Sequence, residues 1–174
     1  NENPLPWSRD RLAARDVGMN LYENLQYSRP GHEMLPADWG NFRAMAQLTQ
    51  QYNLVFMPGM LIVHNVAVGD AEIAAESRQC EGYARLLADV PGVLHYLNGD
   101  CVYRPDLDDP EMTRLWNEWR RLAHGDAAPQ EIPRKISARW DDPAAIDLVR
   151  FSQWMTARWN RAHVAAIRRA DAVH

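Results

Sequence analysis

The chain alternates between segments with a helical hydrophobic period and shorter segments without one. In the helical segments, apolar residues recur every three or four positions, as in the stripe Phe42, Met45, Ala46 and Thr49. The predicted helices cover residues 8–17, 38–52, 70–89, 109–125 and 142–170. The segments without this period are predicted to be strands at 19–27, 54–63 and 93–97.

Residues with known capping preferences mark where most of these helices begin and end. Predicted N-caps are Ser8, Asp38 and Asp70. Asp109-Pro110 and Asp142-Pro143 each place a capping carboxylate before a proline at the first helical position. Gly18 and Gly125 fit the position just after a helix end, where a left-handed backbone is common.

The predicted order of elements is α-β-α-β-α-β-α-α, in which each strand is followed by a long helix. Such alternation is typical of βα units with right-handed crossovers and a parallel sheet. The run at 54–63 is apolar at almost every position, which favours a strand buried on both faces. The pattern therefore predicts an α/β fold, with residues 1–174 forming one domain or one segment of a domain.

Composition narrows the function classes without identifying one. The 174 residues carry a formal net charge of −4, which provides no basic surface for nucleic acid or for an anionic membrane. No apolar stretch approaches the roughly 18 residues that a membrane-spanning helix needs. We therefore expect a soluble chain without nucleic-acid or membrane partners, and cytoplasmic and secreted locations both stay open.

The sequence carries no recognisable motif for a cofactor or a metal. It has no zinc-ligand spacing, no phosphate-binding Walker loop and no dinucleotide glycine fingerprint, so no cofactor and no metal are expected. Its two cysteines, Cys80 and Cys101, are interpreted as free thiols because they are too few for a disulfide framework. Because the chain opens at Asn1 and stops just after a helix, we expect a piece of a longer polypeptide.

Polar side chains follow the predicted strands at their carboxyl ends, where ligands bind in parallel α/β folds. These residues are Glu23, His64, Asn65, Asn98 and Asp100, with the nearby aromatic residue Tyr103. Planar hydrogen-bonding groups beside aromatic faces suit the hydroxyls and the C–H surfaces of a sugar. The pattern therefore predicts a carbohydrate-binding edge.

Each of these residues also has a structural interpretation. Asn98 and Asp100 flank a glycine and are equally typical of a tight turn. Glu23 fits a solvated charge at a strand end, and His64 fits an ordinary loop histidine. His95, inside the third predicted strand, is interpreted as a hydrogen-bonded core residue. A metal site built from His64, Asp100 and Glu23 is not favoured, because no ligand spacing supports it.

Several segments share an order of features with one enzyme group. These segments are RDRLAARDVGMNLYE at 9–23, DWGNFRAMAQLTQQYNLVFMPGMLIVHN at 38–65, and CEGYARLLADVPGVLHYLNGD at 80–100. Together with the later helices, they resemble the second to fourth strand regions of the retaining glycoside hydrolases of the large (β/α)8 clan. That clan includes cellulases, β-mannanases and β-galactosidases, and the resemblance extends over almost all of the chain.

The resemblance implies a partial (β/α)8 barrel, in which an asparagine–glutamate pair ends the fourth strand. Asn98 matches the asparagine, which binds the sugar 2-hydroxyl. Gly99 stands where these enzymes have the acid/base glutamate, and the nearest carboxylate is Asp100, one residue later. The clan's nucleophile ends the seventh strand, and a barrel needs about 200 residues or more, so this chain is expected to hold only the acid/base side.

The resemblance predicts a fragment or subunit of a glycoside hydrolase that cleaves a β-linked oligo- or polysaccharide with retention. Asp100 and Asn98 are the expected catalytic residues, and His64, Asn65, Glu23 and Tyr103 the expected substrate-binding residues. The expected partners are the sugar and either the remaining barrel segment or another chain, including a second copy. Two alternatives stay open: a carbohydrate-binding remnant without hydrolysis, and a small α/β domain that serves as an assembly partner.

Overall fold

The computed structural model describes residues 4–24, 36–59, 67–97, 108–125, 130–133 and 141–174. About two thirds of the described residues are helical. The elements are α1 (Pro4–Asp16), β1 (Leu21–Asn24), α2 (Pro36–Gln51), β2 (Val55–Pro58), α3 (Asp70–Leu87), α4 (Pro110–His124) and α5 (Pro143–Ala170). None of the helices searched within these ranges combines the length and the apolar character needed to span a membrane.

The predicted capping residues account for several of the helix ends. The Asp109 carboxylate accepts a hydrogen bond from the Glu111 backbone N–H at 2.8 Å, and Pro110 follows as the first helical residue. The Asp142 carboxylate does the same for the Ala144 N–H at 2.9 Å. Gly125 ends α4 with a φ of +74°, a backbone conformation that favours glycine. By contrast, α1 and α2 begin earlier than predicted, each at a proline.

The strands form a small parallel arrangement. β1 pairs with β2 in parallel, from Leu21 opposite Val55 to Asn24 opposite Pro58. Residues 93–96 run parallel to β2 on single bridges, one joining Val93 to Phe56 and one joining Tyr96 to Gly59. The three segments therefore lie in sequence order, although only two of them are strands.

The predicted fold class is wrong. The described chain is mainly helical, with two parallel strands of four residues each, and it is not a parallel βα repeat or a partial (β/α)8 barrel. Within the apolar run 54–63, β2 ends at Pro58, and Gly59 contributes only a bridge. An apolar run shows that residues are buried but does not show how many of them pair, because hydrophobic burial has no direction.

The chain forms two compact units. Unit 1 comprises Asn1–Val63, Ala75–Cys101 and His163–His174, and unit 2 comprises His64–Ala74 and Val102–Ala162. Helices α3 and α5 contribute residues to both units.

The core of unit 1 contains the parallel segments and the helices that pack on them. α2 packs on β2 and on α1, and the Phe42 ring lies 5.7 Å from Phe56 and 5.4 Å from Tyr83 between centroids. Helical spacing predicts one face of α3 from Ser77, Cys80, Ala84 and Leu87, and all four residues are buried. Ile73, which continues the same face towards the start of α3, is also buried but belongs to unit 2.

The core of unit 2 is aromatic. The Trp116 ring stacks on Trp119 at 5.2 Å and meets Phe151 edge-on at 5.3 Å. Aliphatic and methionine side chains complete this cluster, namely Val68, Met112, Leu115, Ile132, Leu148 and Met155. Helical spacing predicts that Leu115, Trp116, Trp119 and Leu122 share one apolar face of α4. Leu122 is 70% exposed, so this face is buried only as far as Trp119.

Candidate functional site

Most of the predicted sugar-binding residues lie outside the part of the chain that the structure describes. Asn98, Asp100, His64, Asn65 and Tyr103 all belong to this group. The sixth, Glu23, lies near the carboxyl end of β1 opposite Met57 and is exposed.

The described part of unit 1 brings together a different set of polar residues, His95, Asp171 and His174. The Asp171 Oδ2 atom lies 2.7 Å from His95 Nε2 and 2.8 Å from His174 Nδ1. One carboxylate oxygen therefore contacts two imidazole rings. We refer to these three residues as the histidine–aspartate cluster.

Two pieces of backbone bring the cluster together. His95 lies between the bridged residues Val93 and Tyr96, so its position is set by the segment that runs beside β2. Asp171 is the first residue after α5, and its N–H donates to the Ile167 carbonyl at 2.8 Å. The two sides of the cluster are 76 residues apart in sequence.

The Asp171 carboxylate is held in one orientation. Its Oδ1 atom accepts hydrogen bonds from the backbone N–H groups of Val173 and His174, at 3.0 and 3.1 Å. This turn directs Oδ2 towards the two rings and orders the chain after α5.

The cluster is largely shielded from water. The side chains of His95, Asp171 and His174 are 5%, 1% and 15% exposed, so His174 is the accessible edge. The two rings are nearly perpendicular, with centroids 6.2 Å apart. The second nitrogen of His95, Nδ1, is buried and has no hydrogen-bond partner among the described residues.

Burial and hydrogen bonding act in opposite directions on the ionisation of the cluster. Burial lowers the pKa of His95 below its ordinary value, and this outweighs the hydrogen bond to Asp171, which favours the charged ring. Burial would raise the pKa of Asp171, but hydrogen bonds from His95 and from the backbone and ring of His174 outweigh it and hold the pKa low. The arrangement therefore favours an ionised Asp171 beside a neutral His95.

The cluster has the atoms of a metal site. One ligand atom from each of the three residues lies within 4.8 Å of the other two, and no other group of three such residues meets this spacing within the described ranges. Two imidazole nitrogens and a carboxylate oxygen are ligands that zinc and related divalent metals accept.

Arg11 is a second buried polar group in unit 1. Its Nε donates to the Thr49 hydroxyl at 2.5 Å, its Nη1 donates to the Trp7 carbonyl, and its guanidinium lies 4.3 Å from the centre of the Tyr22 ring. Burial lowers the pKa of Arg11. Within the described residues, these contacts attach α1 to α2 and to β1, which is a structural role.

Sequence reasoning found one member of the cluster and missed its partners. The interpretation of His95 as a hydrogen-bonded core residue agrees with its burial and its bond to Asp171. Asp171 and His174 lie three residues apart just after a long helix, and this spacing was the sequence signal for a local turn in which their side chains meet. Nothing local in the sequence connects that turn to His95.

No protein-family model, curated protein or solved structure matches the chain. A functional assignment therefore depends on the residues of the chain itself.

Proposed function

We propose that the chain acts on a β-linked oligo- or polysaccharide, as the part of a retaining glycoside hydrolase that carries the acid/base. The observation that supports this proposal is the parallel, sequence-ordered arrangement of residues 21–24, 55–58 and 93–96. An antiparallel or separated arrangement would have counted against it.

This arrangement matters because the carboxyl ends of neighbouring parallel strands meet at one edge of a sheet, and ligands bind at that edge in parallel α/β sheets. Here the arrangement consists of two four-residue strands and one bridged segment. β1 ends at Asn24, next to the exposed Glu23. In the sequence, Asn98 follows Leu97 directly, and His64 follows the bridged Gly59 by five residues. The proposed binding residues thus follow chain segments that end at a common edge.

The proposed chemistry assigns one role to each of two residues. Asp100 protonates the oxygen of the leaving sugar, and Asn98 holds the 2-hydroxyl of the sugar that is attacked. A retaining mechanism needs a second carboxyl group about 5–5.5 Å away on the other side of the bond. We expect that nucleophile to come from polypeptide outside these 174 residues or from another chain.

A second candidate is carbohydrate binding without hydrolysis. The observation that favours it is Gly99, which stands where the resembling enzymes carry their acid/base glutamate. An aspartate is one methylene shorter than glutamate and is shifted here by one position.

The test uses the full chain, together with the polypeptide that the proposal expects to supply the nucleophile, and soluble β-linked glucan, mannan and galactan oligosaccharides. Calorimetric binding is measured beside release of reducing ends, for the unaltered chain, for Asp100→Asn, and for the exposed control Asp108→Asn. Turnover that Asp100→Asn abolishes and Asp108→Asn keeps supports the hydrolase. Binding without turnover supports the second candidate, and the absence of both removes the carbohydrate proposal.

A further inference from the structure

The histidine–aspartate cluster has features that an ordinary hydrogen-bonded turn does not require. A single histidine would suffice to pair with the Asp171 carboxylate, yet two imidazole rings from distant parts of unit 1 contact the same oxygen. We propose that His95 Nε2, His174 Nδ1 and the carboxylate of Asp171 bind one divalent transition-metal ion, with zinc(II) as the ion that best suits these ligands.

The distances suit a metal ion after a small adjustment. Ligand atoms about 2.1 Å from zinc in a tetrahedral site lie roughly 3.4 Å from each other. The contacts of Asp171 Oδ2 with the two rings are 2.7 and 2.8 Å, and all three ligand atoms lie within 4.8 Å of one another. The two contacts to Oδ2 would have to lengthen by roughly 0.6–0.7 Å to admit the ion. His174 at the accessible edge has the most freedom to move.

The backbone supplies the outer support that metal ligands usually have. Hydrogen bonds to a ligating carboxylate fix its direction, and such outer contacts commonly alter metal affinity by about 10- to 100-fold. Here the N–H groups of Val173 and His174 hold Oδ1 of Asp171, which leaves Oδ2 for the ion.

The local electrostatic field favours a cation. The carboxyl end of a helix carries a partial negative charge, and α5, with 28 residues, ends at Ala170. Asp171 places a full negative charge directly after this end, although a carboxylate there is unfavourable unless a positive group faces it. Arg168 and Arg169 in the last turn of α5 offset part of this negative charge, and a metal ion at Oδ2 would offset more of it at the carboxylate itself.

Two nitrogen atoms would have to become available to the ion. With neutral rings, the contacts to Oδ2 place the hydrogens on His95 Nε2 and His174 Nδ1. Metal binding moves each hydrogen to the other ring nitrogen, so no net proton is lost from a neutral ring. In His95 that nitrogen is Nδ1, which is not engaged in a hydrogen bond with any described residue.

Three protein ligands leave a coordination position open. Sites of this kind hold a water molecule or a ligand from another molecule in the fourth position. Whatever occupies that position, the ion would connect the segment beside β2 to the turn after α5. This proposal stands apart from the carbohydrate proposal, because none of its three ligands is a proposed sugar-binding residue.

The first experiment measures metal binding directly. The full chain is freed of metal with a chelator and titrated with zinc(II) by calorimetry and with cobalt(II) by visible absorption. We expect saturable binding of one ion per chain, and a loss of affinity of about 100-fold or more in His174→Gln and Asp171→Asn, beyond the range of outer contacts. His124→Gln is the matched control, because His124 also contacts an aspartate but has no third ligand among the residues that the structure describes.

The second experiment identifies the ligand atoms. Long-range hydrogen–nitrogen correlation spectra of the imidazole rings, recorded with and without zinc(II), report which nitrogen binds metal. The proposal requires Nε2 for His95 and Nδ1 for His174, a mixed pattern that adventitious surface binding would not produce. Lack of saturable binding, equal affinity in His174→Gln and the unaltered chain, or a shift confined to His124 would each overturn the metal site.

Discussion

The two units of this chain differ in what they bury. The buried polar residues of the described ranges, namely Arg11, Thr49, Ser77, His163 and Asp171, all belong to unit 1, as does His95 with its 5% exposed side chain. The core cluster of unit 2 is hydrophobic throughout. A hydrophobic core tolerates many arrangements of similar volume, whereas buried polar groups require particular partners. Unit 1 is therefore where the described chain has its buried polar contacts.

One histidine–aspartate contact from each unit illustrates this difference in burial. The His95–Asp171 distance in unit 1 is 2.7 Å, and the His124–Asp147 distance in unit 2 is 2.9 Å. The first pair is 5% and 1% exposed, while the second is 37% and 21% exposed. The two contacts are thus nearly equal in length, but the first is shielded from water and the second is accessible to it.

The largest expected effect tests the hydrophobic core of unit 2. Trp116 is 2% exposed and contacts Trp119 and Phe151, so Trp116→Ala should lower the free energy of unfolding by about 4 kcal/mol. Urea denaturation measures the change. Leu122→Ala on the same helix is the control and should alter the free energy by less than about 0.5 kcal/mol. Similar effects of the two substitutions would contradict the assigned core.

The next effect tests the buried contact in unit 1. Asp171→Ala should cost about 3 kcal/mol in the presence of a chelator, because it removes a carboxylate that two rings and two N–H groups contact. Asp147→Ala removes the matching carboxylate of unit 2 and should cost less than about 1 kcal/mol. The comparison fails if denaturation gives equal losses for the two variants.

Acidification should weaken unit 1 through His95. Its pKa in the folded chain lies below the value of about 6.5 for an unfolded histidine, so the unfolded chain binds more protons as the pH falls. With chelator present, the free energy of unfolding should be highest above about pH 6.5 and should decline as the pH falls below that value. Asp171, whose pKa is also lowered, should add a second decline below about pH 3.9.

Denaturation curves from pH 8 to pH 3 of the unaltered chain and of His95→Gln would separate these steps. The first decline should become shallower in His95→Gln and persist in the control His124→Gln. A decline that His95→Gln leaves unchanged would show that another group is responsible.

The smallest expected effect lies on the surface of unit 1. Glu81 contacts Arg85 at 2.8 Å and Arg169 at 3.0 Å, but both arginines are more than half exposed. Because exposed ion pairs contribute little and are screened by salt, Glu81→Gln should leave the urea midpoint almost unchanged. Any small difference at low salt should disappear at high salt, and a large difference at both would contradict a surface role.

Helices were the best-predicted part of the fold. Asp109 and Asp142 mark helix starts in the sequence and bind the expected backbone N–H groups. Capping and helical periodicity are local, so a short window contains the cause of each. Leu122 shows what helical periodicity cannot predict. The periodicity places Leu122 on the apolar face of α4, but it does not indicate how far along the helix that face is covered by other residues.

Strands and the polar site were predicted less well. The parallel direction and the sequence order of the three segments agree with the prediction, but β1 and β2 are only four residues long and the barrel is absent. His95 was correctly interpreted as a hydrogen-bonded core residue, while Asp171 and His174 were missed. The contact between His95 and Asp171 spans 76 residues of sequence, and no local pattern specifies a partner at that distance.

The amino-acid sequence alone determined where the five helices lie, the caps at Asp109 and Asp142, and the apolar faces of α3 and α5, because neighbouring residues specify each of these features. Only the tertiary structure decided how far the strands pair and that His95 meets Asp171 and His174. Pairing and burial depend on which distant segments exclude water together, and that outcome is a property of the folded chain as a whole.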